Sequence, residues 1–227
     1  MRGPEFLDRY EGGLVLAGLL RAYAHQPDTV VLALPRGGVP VAYEVARKMG
    51  VPLDVFLVRK LGAPRHEELA MGAIASGGVR VLNREVLDEL NISEAQIDAA
   101  AAREGLELQR RELRYREGRP PPDVRGRTVI LVDDGLATGT TMRAAVAALR
   151  QQEPARIVVA VPVGAVESCD DLADEADEVI CARKPEPFHA VGLWYRDFAQ
   201  TSDEEVRELL AREARERNAG LEQPSAV

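Results

Sequence analysis

Asp133 and Asp134 stand side by side in the run Val129-Ile-Leu-Val-Asp-Asp-Gly-Leu-Ala-Thr-Gly-Thr-Thr-Met142, and a stretch rich in hydroxyls and glycine follows them directly. The two halves of this run suit two parts of one ligand. Carboxylates repel a phosphate, but they accept hydrogen bonds from vicinal hydroxyls and can join the outer shell of Mg²⁺. Thr138, Thr140 and Thr141 offer hydroxyls, Gly139 lets the backbone come close, and the first amides of a following helix carry partial positive charge. A phosphate cradle beside a diol site is a pair of features that a sugar phosphate satisfies. An acidic pair before a glycine is also a common solvated turn. The buried-type strand before it and the Thr-Gly-Thr-Thr run after it favour the binding reading.

A second candidate anion site is Leu34-Pro-Arg-Gly-Gly-Val-Pro40. Gly37 and Gly38 can expose consecutive amides, and Arg36 adds a fixed positive charge suited to phosphate oxygens; the alternative is a plain tight turn. In Val58-Arg59-Lys60-Leu61-Gly62 the cations Arg59 and Lys60 are expected at a strand end, on the same sheet edge as the acid pair, unless they are ordinary solvated surface. Only 4% of the chain is aromatic, yet Phe188, Trp194 and Tyr195 cluster in Pro185–Tyr195, either to stack on a flat ligand or to anchor the core. The histidines His25, His66 and His189 have no metal-ligand spacing, and none is given a catalytic role.

Residues so far apart in sequence need a frame that gathers strand ends. Periodicity predicts a helix over Gly13–Tyr23, a buried strand over Thr29–Leu34, a helix over Val39–Met49 stopped by Gly50, and a strand over Leu53–Val58. Met71–Ala75 and Val79–Leu82 read as a hairpin across Ser76-Gly-Gly78. A polar helical insertion spans 83–122, with a capping box at Ser93 and Gln96 and a thin apolar stripe of Ala99, Ala102, Leu106 and Leu113. Thr128–Val132, Thr140–Gln151, Ile157–Val161, Val166–Glu175 and Glu178–Cys181 then resume the strand and helix alternation. A final amphipathic helix begins near Thr201 with Val206, Leu209 and Leu210 inward, and 218–227 reads as a flexible tail. The pattern predicts one α/β domain over 1–227, a twisted and mostly parallel sheet flanked by helices. Ligands of such sheets collect at the carboxyl ends of the strands.

The formal net charge of −8 argues against a broad nucleic-acid footprint. No apolar run reaches the roughly eighteen residues that span a bilayer, and the first residues lack a signal-peptide core, so a cytoplasmic location without membrane contact is expected. Cys169 and Cys181 lack zinc-site spacing and read as ordinary reduced thiols. The apolar stripe on the insertion offers a face for pairing with a second subunit, a homo-oligomer.

The segment 129–142 resembles the 5-phosphoribosyl-1-pyrophosphate (PRPP) signature of the type I phosphoribosyltransferases. The resemblance implies that family's Rossmann-like fold, with a small hood at 184–200, and transfer of a phosphoribosyl group from Mg²⁺-bound PRPP to a nitrogenous acceptor, a purine or pyrimidine base, with release of pyrophosphate. It assigns the ribose hydroxyls to Asp133 and Asp134, which also hold the metal through water. Ala137, Thr138, Gly139, Thr140 and Thr141 then wrap the 5-phosphate, with Gly135 in the same substrate-binding loop, and Arg36, Gly37 and Gly38 meet the pyrophosphate; Arg59 and Lys60 are sensible partners for its charge. Phe188 or Trp194 faces the base. Asp133, Asp134, Arg36 and Lys60 are the implied catalytic set. By the same resemblance Gly62–Leu69 is a mobile lid and the Arg36–Gly37 peptide is often cis. Leu136-Ala-Thr-Gly139 is closer to the adenine and uracil enzymes than to the 6-oxopurine enzymes, which carry Asp where this chain has Ala137. A non-catalytic PRPP-sensing regulator is the alternative, and a sugar-phosphate phosphohydrolase the third, for which no water-activating residue is evident. The phosphoribosyltransferase reading fails if Asp134 is packed away from solvent with the amides of Thr138–Thr141 blocked by protein.

Overall fold

The computed structural model describes residues 5–221. In chain order the elements are α1 (Arg9–Leu19), β1 (Thr29–Ala33), α2 (Gly38–Met49), β2 (Leu53–Val55), β3 (Val58–Ala63), β4 (His66–Ala75), β5 (Arg80–Leu82), α3 (Arg84–Glu89), α4 (Glu94–Arg116), β6 (Thr128–Val132), α5 (Thr140–Arg150), β7 (Arg156–Val163), α6 (Val166–Ala173), β8 (Glu178–Arg183) and α7 (Asp203–Leu221). Five strands form one sheet in the order β2-β1-β6-β7-β8, every neighbouring pair parallel. Its central strands are continuous apolar runs because helices cover both faces. Val31, Ala33, Ile130, Val132, Val158 and Ala160 pack with α1, α2 and α7 on one side. Val30, Leu32, Val129, Leu131, Ile157 and Val159 face α5 and α6 on the other. The predicted α/β architecture is the observed one.

Local chemistry sets several boundaries differently from the sequence expectation. α1 starts at Arg9 rather than Gly13, because Asp8 caps it and accepts the Glu11 N–H at 2.9 Å. The predicted strand Leu53–Val58 is divided between two sheets. Phe56 N–H still reaches the Ala33 carbonyl at 2.9 Å, but the Leu57 carbonyl accepts from Ser76 N–H at 2.9 Å, which turns the chain out of the parallel sheet. β3 therefore joins a separate antiparallel sheet of order β3-β4-β5. The lid segment Gly62–Leu69 is the tip of the β3–β4 hairpin, closed at Ala63↔His66 with Arg65 at φ 66°, and Gly62 lies at a register shift between the strands. The predicted tail begins inside α7, whose helix runs to Leu221, while 222–227 lie outside the described residues.

The insertion packs on the face opposite to the one expected. Its capping box forms, with Gln96 Oε1 accepting the Ser93 N–H at 2.9 Å. Two apolar rows run along α4, and the one with larger side chains goes inward: Ile97, Ala101, Leu108 and Tyr115 are buried. The smaller row of Ala99, Ala102, Leu106 and Leu113 faces solvent, with Leu106 71% and Leu113 66% exposed. Tyr115 adds a hydrogen bond from its hydroxyl to Asp203 at 2.7 Å, at the start of α7. At the far end of α4 the buried Arg116 guanidinium reaches Asp54 and the Val55 carbonyl of β2, each at 2.9 Å, and Glu112 at 3.0 Å. A charge this recessed is tolerable only with such partners. No helix among the described residues is long and apolar enough to cross a membrane.

The choice of face gives a direct test by urea unfolding. Leu108→Ala, which empties a buried position, is expected to cost about 2–5 kcal/mol, whereas Leu106→Ala on the exposed row stays within about 0.5 kcal/mol of the parent.

Candidate active site

β1 and β6 pair in register from Thr29↔Thr128 to Ala33↔Val132, and Leu34 N–H continues the ladder to the Val132 carbonyl at 2.8 Å. The two loops that follow these strands therefore emerge touching. A β-carbon at Gly37 would lie 2.0 Å from Asp134 Oδ2, and one at Gly38 would lie 2.8 Å from the Val132 carbonyl and 2.9 Å from Asp133 Cα. Only glycine permits this approach. The exposed amides differ by one residue from the expected pair. Gly38 N–H is spent on the Leu34 carbonyl at 3.1 Å, so Arg36 and Gly37 are the consecutive N–H groups without a protein acceptor among the described residues. The cis peptide is likewise one position earlier than expected, at Pro35–Arg36.

Asp133 and Asp134 follow β6 directly as half-buried neighbours. Asp133 Oδ1 accepts the Asp134 N–H at 2.8 Å. Burial first, and the Asp134 charge second, push the Asp133 carboxyl well above the usual carboxylate range. Burial also raises Asp134, against the pull of Arg9. Arg9 Nε donates to Asp134 Oδ2 at 2.8 Å, with the two side chains 11% and 15% exposed. Arg9 Nη1 donates to the Ala199 carbonyl at 2.7 Å, and its guanidinium lies 3.9 Å from the Phe198 ring centroid. Phe198 stacks on Tyr195 at 5.2 Å between centroids, and the Tyr195 hydroxyl donates to the Asp134 carbonyl at 2.6 Å. Asp134 is thus more recessed than the open carboxylate expected, because a cation occupies one of its oxygens.

The other half of the signature is open. Leu136 N–H reaches the Val163 carbonyl and Ala165 N–H the Leu136 carbonyl, both at 2.9 Å, and the Ser168 hydroxyl donates to the Ala137 carbonyl. These bonds pin the loop to β7 and α6. Gly139, at φ 71°, then turns the chain into α5. Among the described residues no protein atom accepts the N–H of Ala137, Thr138, Gly139, Thr140 or Thr141. Ala137, Thr138, Thr140 and Thr141 are exposed, with the Thr138 and Thr140 hydroxyls 3.2 Å apart. Such a group of free amides at a helix start suits an anion.

The expected cations gather less closely. Arg59 and Lys60 lie within β3 of the antiparallel sheet, not on the parallel sheet's edge, since the chain has already left that sheet at Leu57. Arg59 is paired with Glu104 of α4 at 2.6 Å. Lys60 faces Glu68 at 3.6 Å and, with Thr140, Thr141 and Arg143, lines a cleft of about 380 Å³ between the hairpin and α5. Arg36 points to Asp203 at 3.7 Å, the same carboxylate that Tyr115 and Arg114 hold. Phe188 and Trp194 pack on a small cluster of Phe6, Val163 and Tyr195. No group of three or more metal-ligating side chains occurs among the described residues. Sequence reasoning missed Arg9, Phe198, Asp203 and the Tyr195 hydroxyl, none of which carries a local motif.

A family model described as a phosphoribosyl transferase domain matches residues 15–191. A Mycobacterium tuberculosis protein provisionally named a phosphoribosyl transferase is 46% identical over 211 residues, covering 93% of this chain and 47% of the relative. The chain thus spans about half the length of that relative. The bifunctional protein PyrR of Chloroflexus aurantiacus is 36% identical over 129 residues, 56% of this chain and 65% of its own. Among solved structures, TT1426 from Thermus thermophilus is similar with a TM-score of 0.81 and 44% identity, over 92% of this chain and 98% of that one. A signature that follows β6, a parallel sheet flanked by helices and a match across most of the sequence agree: this chain belongs to the phosphoribosyl transferase domain family.

Proposed function

We propose that the protein transfers the 5-phosphoribosyl group of PRPP to a nitrogenous acceptor, a purine or pyrimidine base, and releases pyrophosphate. The observation that carries this reading is the contact between two strand-end loops: the acid pair lies against Gly37 and Gly38, and the uncommitted amides of Ala137–Thr141 stand immediately downstream. Asp133 and Asp134 orient the ribose through its hydroxyls and favour the positive charge that grows on the ring as the C1–oxygen bond breaks. Thr138–Thr141 with Gly139 hold the 5-phosphate. The backbone N–H groups of Arg36 and Gly37 receive the pyrophosphate, with Arg36 and Lys60 as candidate cations for its charge.

Two adjacent carboxylates, without a third ligand among the described residues, fit Mg²⁺, which retains waters and binds through one or two carboxylates and ligand oxygens. When bound, Mg²⁺ neutralises the departing pyrophosphate. Asp133 and Asp134 would hold it through water.

A regulator that senses PRPP without turnover is the second reading. It is favoured by the packing of the half-buried Phe188 and Trp194 against Phe6 and Tyr195, and by the pairing of Arg59 with Glu104.

The reading predicts that PRPP with Mg²⁺, at about a hundred times Kd, adds about 2.7 kcal/mol of stability, a rise in Tm of about 5–10 °C. Asp133→Asn combined with Asp134→Ala should abolish the rise; an undiminished shift in that variant would refute the site. Incubation with adenine, guanine, hypoxanthine, xanthine, uracil and orotate then separates the two readings. Pyrophosphate release with one base identifies an enzyme, and PRPP binding without release from any of the six identifies the regulator.

The acid pair is also expected to burden the fold. A carboxyl whose folded pKa is raised gives stability that is present below its ordinary pKa of about 3.9 and is lost as pH rises through the folded value. Ionising Asp133 is therefore a cost to the fold. Asp133→Asn alone should raise Tm by about 2–4 °C at pH 7.5, with the gain shrinking towards pH 4.5 in thermal melts, while PRPP binding weakens.

A further inference from the structure

We propose that Arg9 is a positioning residue for pentose recognition: it fixes the rotation of the Asp134 carboxylate so that one oxygen faces the sugar hydroxyls, and Phe198 holds Arg9 in place. The inference rests on the function proposed above, since it concerns how that site reads its ligand.

A carboxylate side chain turns easily about its last torsion, which has broad twofold preferences. Beside another carboxylate, Asp134 would tend to swing away from Asp133. Arg9 Nε takes Oδ2 at 2.8 Å, and among the described residues Oδ1 is the oxygen without a side-chain partner. The guanidinium is itself held at three points, by Asp134, by the Ala199 carbonyl at 2.7 Å and by the Phe198 face at 3.9 Å. A rigid planar fork presents two donors and a stacking face to these partners at once, whereas an ammonium is a compact point charge on a flexible stem. Tyr195 joins the same assembly from below, stacking on Phe198 and donating to the Asp134 carbonyl. Of these three side chains only Arg9 touches the Asp134 carboxylate; Phe198 backs the guanidinium and Tyr195 holds the Asp134 main chain.

A purely structural role for Arg9 in docking α1 has little to explain. Leu16 and Leu20 are fully buried and already fasten this part of the chain. The pair is also too recessed to be an ordinary surface ion pair, whose contribution is small.

The test is calorimetric titration of the full chain with ribose 5-phosphate, 2-deoxyribose 5-phosphate and inorganic phosphate. The parent should bind ribose 5-phosphate more tightly than its 2-deoxy analogue. Arg9→Met should lose about tenfold in affinity for ribose 5-phosphate, the worth of a hydrogen bond to a charged group, and change less than about twofold for the other two probes. Arg9→Lys should behave like Arg9→Met, and Phe198→Leu should fall between. If circular dichroism shows that Arg9→Met does not fold, Phe198→Leu carries the same comparison. Equal losses for all three probes would reduce Arg9 to a structural role, and an unchanged preference for the ribose would overturn the inference. A parent that does not distinguish the two sugars would overturn it too, but through the diol site itself and with it the function proposed above.

Discussion

The register between β1 and β6 is the constraint on which the site depends. Five residues of one strand pair in step with five of the other, and the ladder extends to Leu34 before both chains turn away. Neither loop has a helix or disulfide of its own to bring it to the other. They meet because parallel strands that end together deliver their next residues to the same place. A slip of one residue would reverse which side chains face each layer of the core, so the apolar packing that stabilises the sheet also fixes the distance between Gly37 and Asp134.

That meeting creates an electrostatic problem. Two carboxylates on consecutive residues, partly withdrawn from water, repel each other and lose hydration. The fold answers asymmetrically. Asp134 has a guanidinium, while among the described residues Asp133 has only the next backbone amide. One acid is thereby tied down and the other is left to be satisfied by whatever enters. A site of this kind is expected to trade stability for binding, as functional sites commonly do.

What was legible in the sequence was what is local. The strand, acid pair, glycine and threonines of 129–142 occupy fourteen consecutive positions, and the structure keeps their order as strand, loop and helix. The buried strands were readable because both of their faces are apolar. Errors arose where two local solutions compete. α4 carries two apolar rows, and spacing alone does not say which is heavier; Tyr115 and its bond to Asp203 decide it. Leu53–Val58 looks like one strand because nothing in those six residues reveals that Ser76 will claim Leu57. Arg9 was invisible for a stronger reason. Its partner is 125 residues away, and a single arginine in the first turn of a helix has no pattern that marks it.

The fastening of Arg116 bears on how the sheet ends. β2 is an outer strand of only three residues, and outer strands invite pairing with another chain through their unspent backbone groups. Here a buried guanidinium claims the Val55 carbonyl, and the same side chain grips Asp54. The insertion therefore works as a stopper on that flank, shielding the molecule from growing edge to edge into an aggregate.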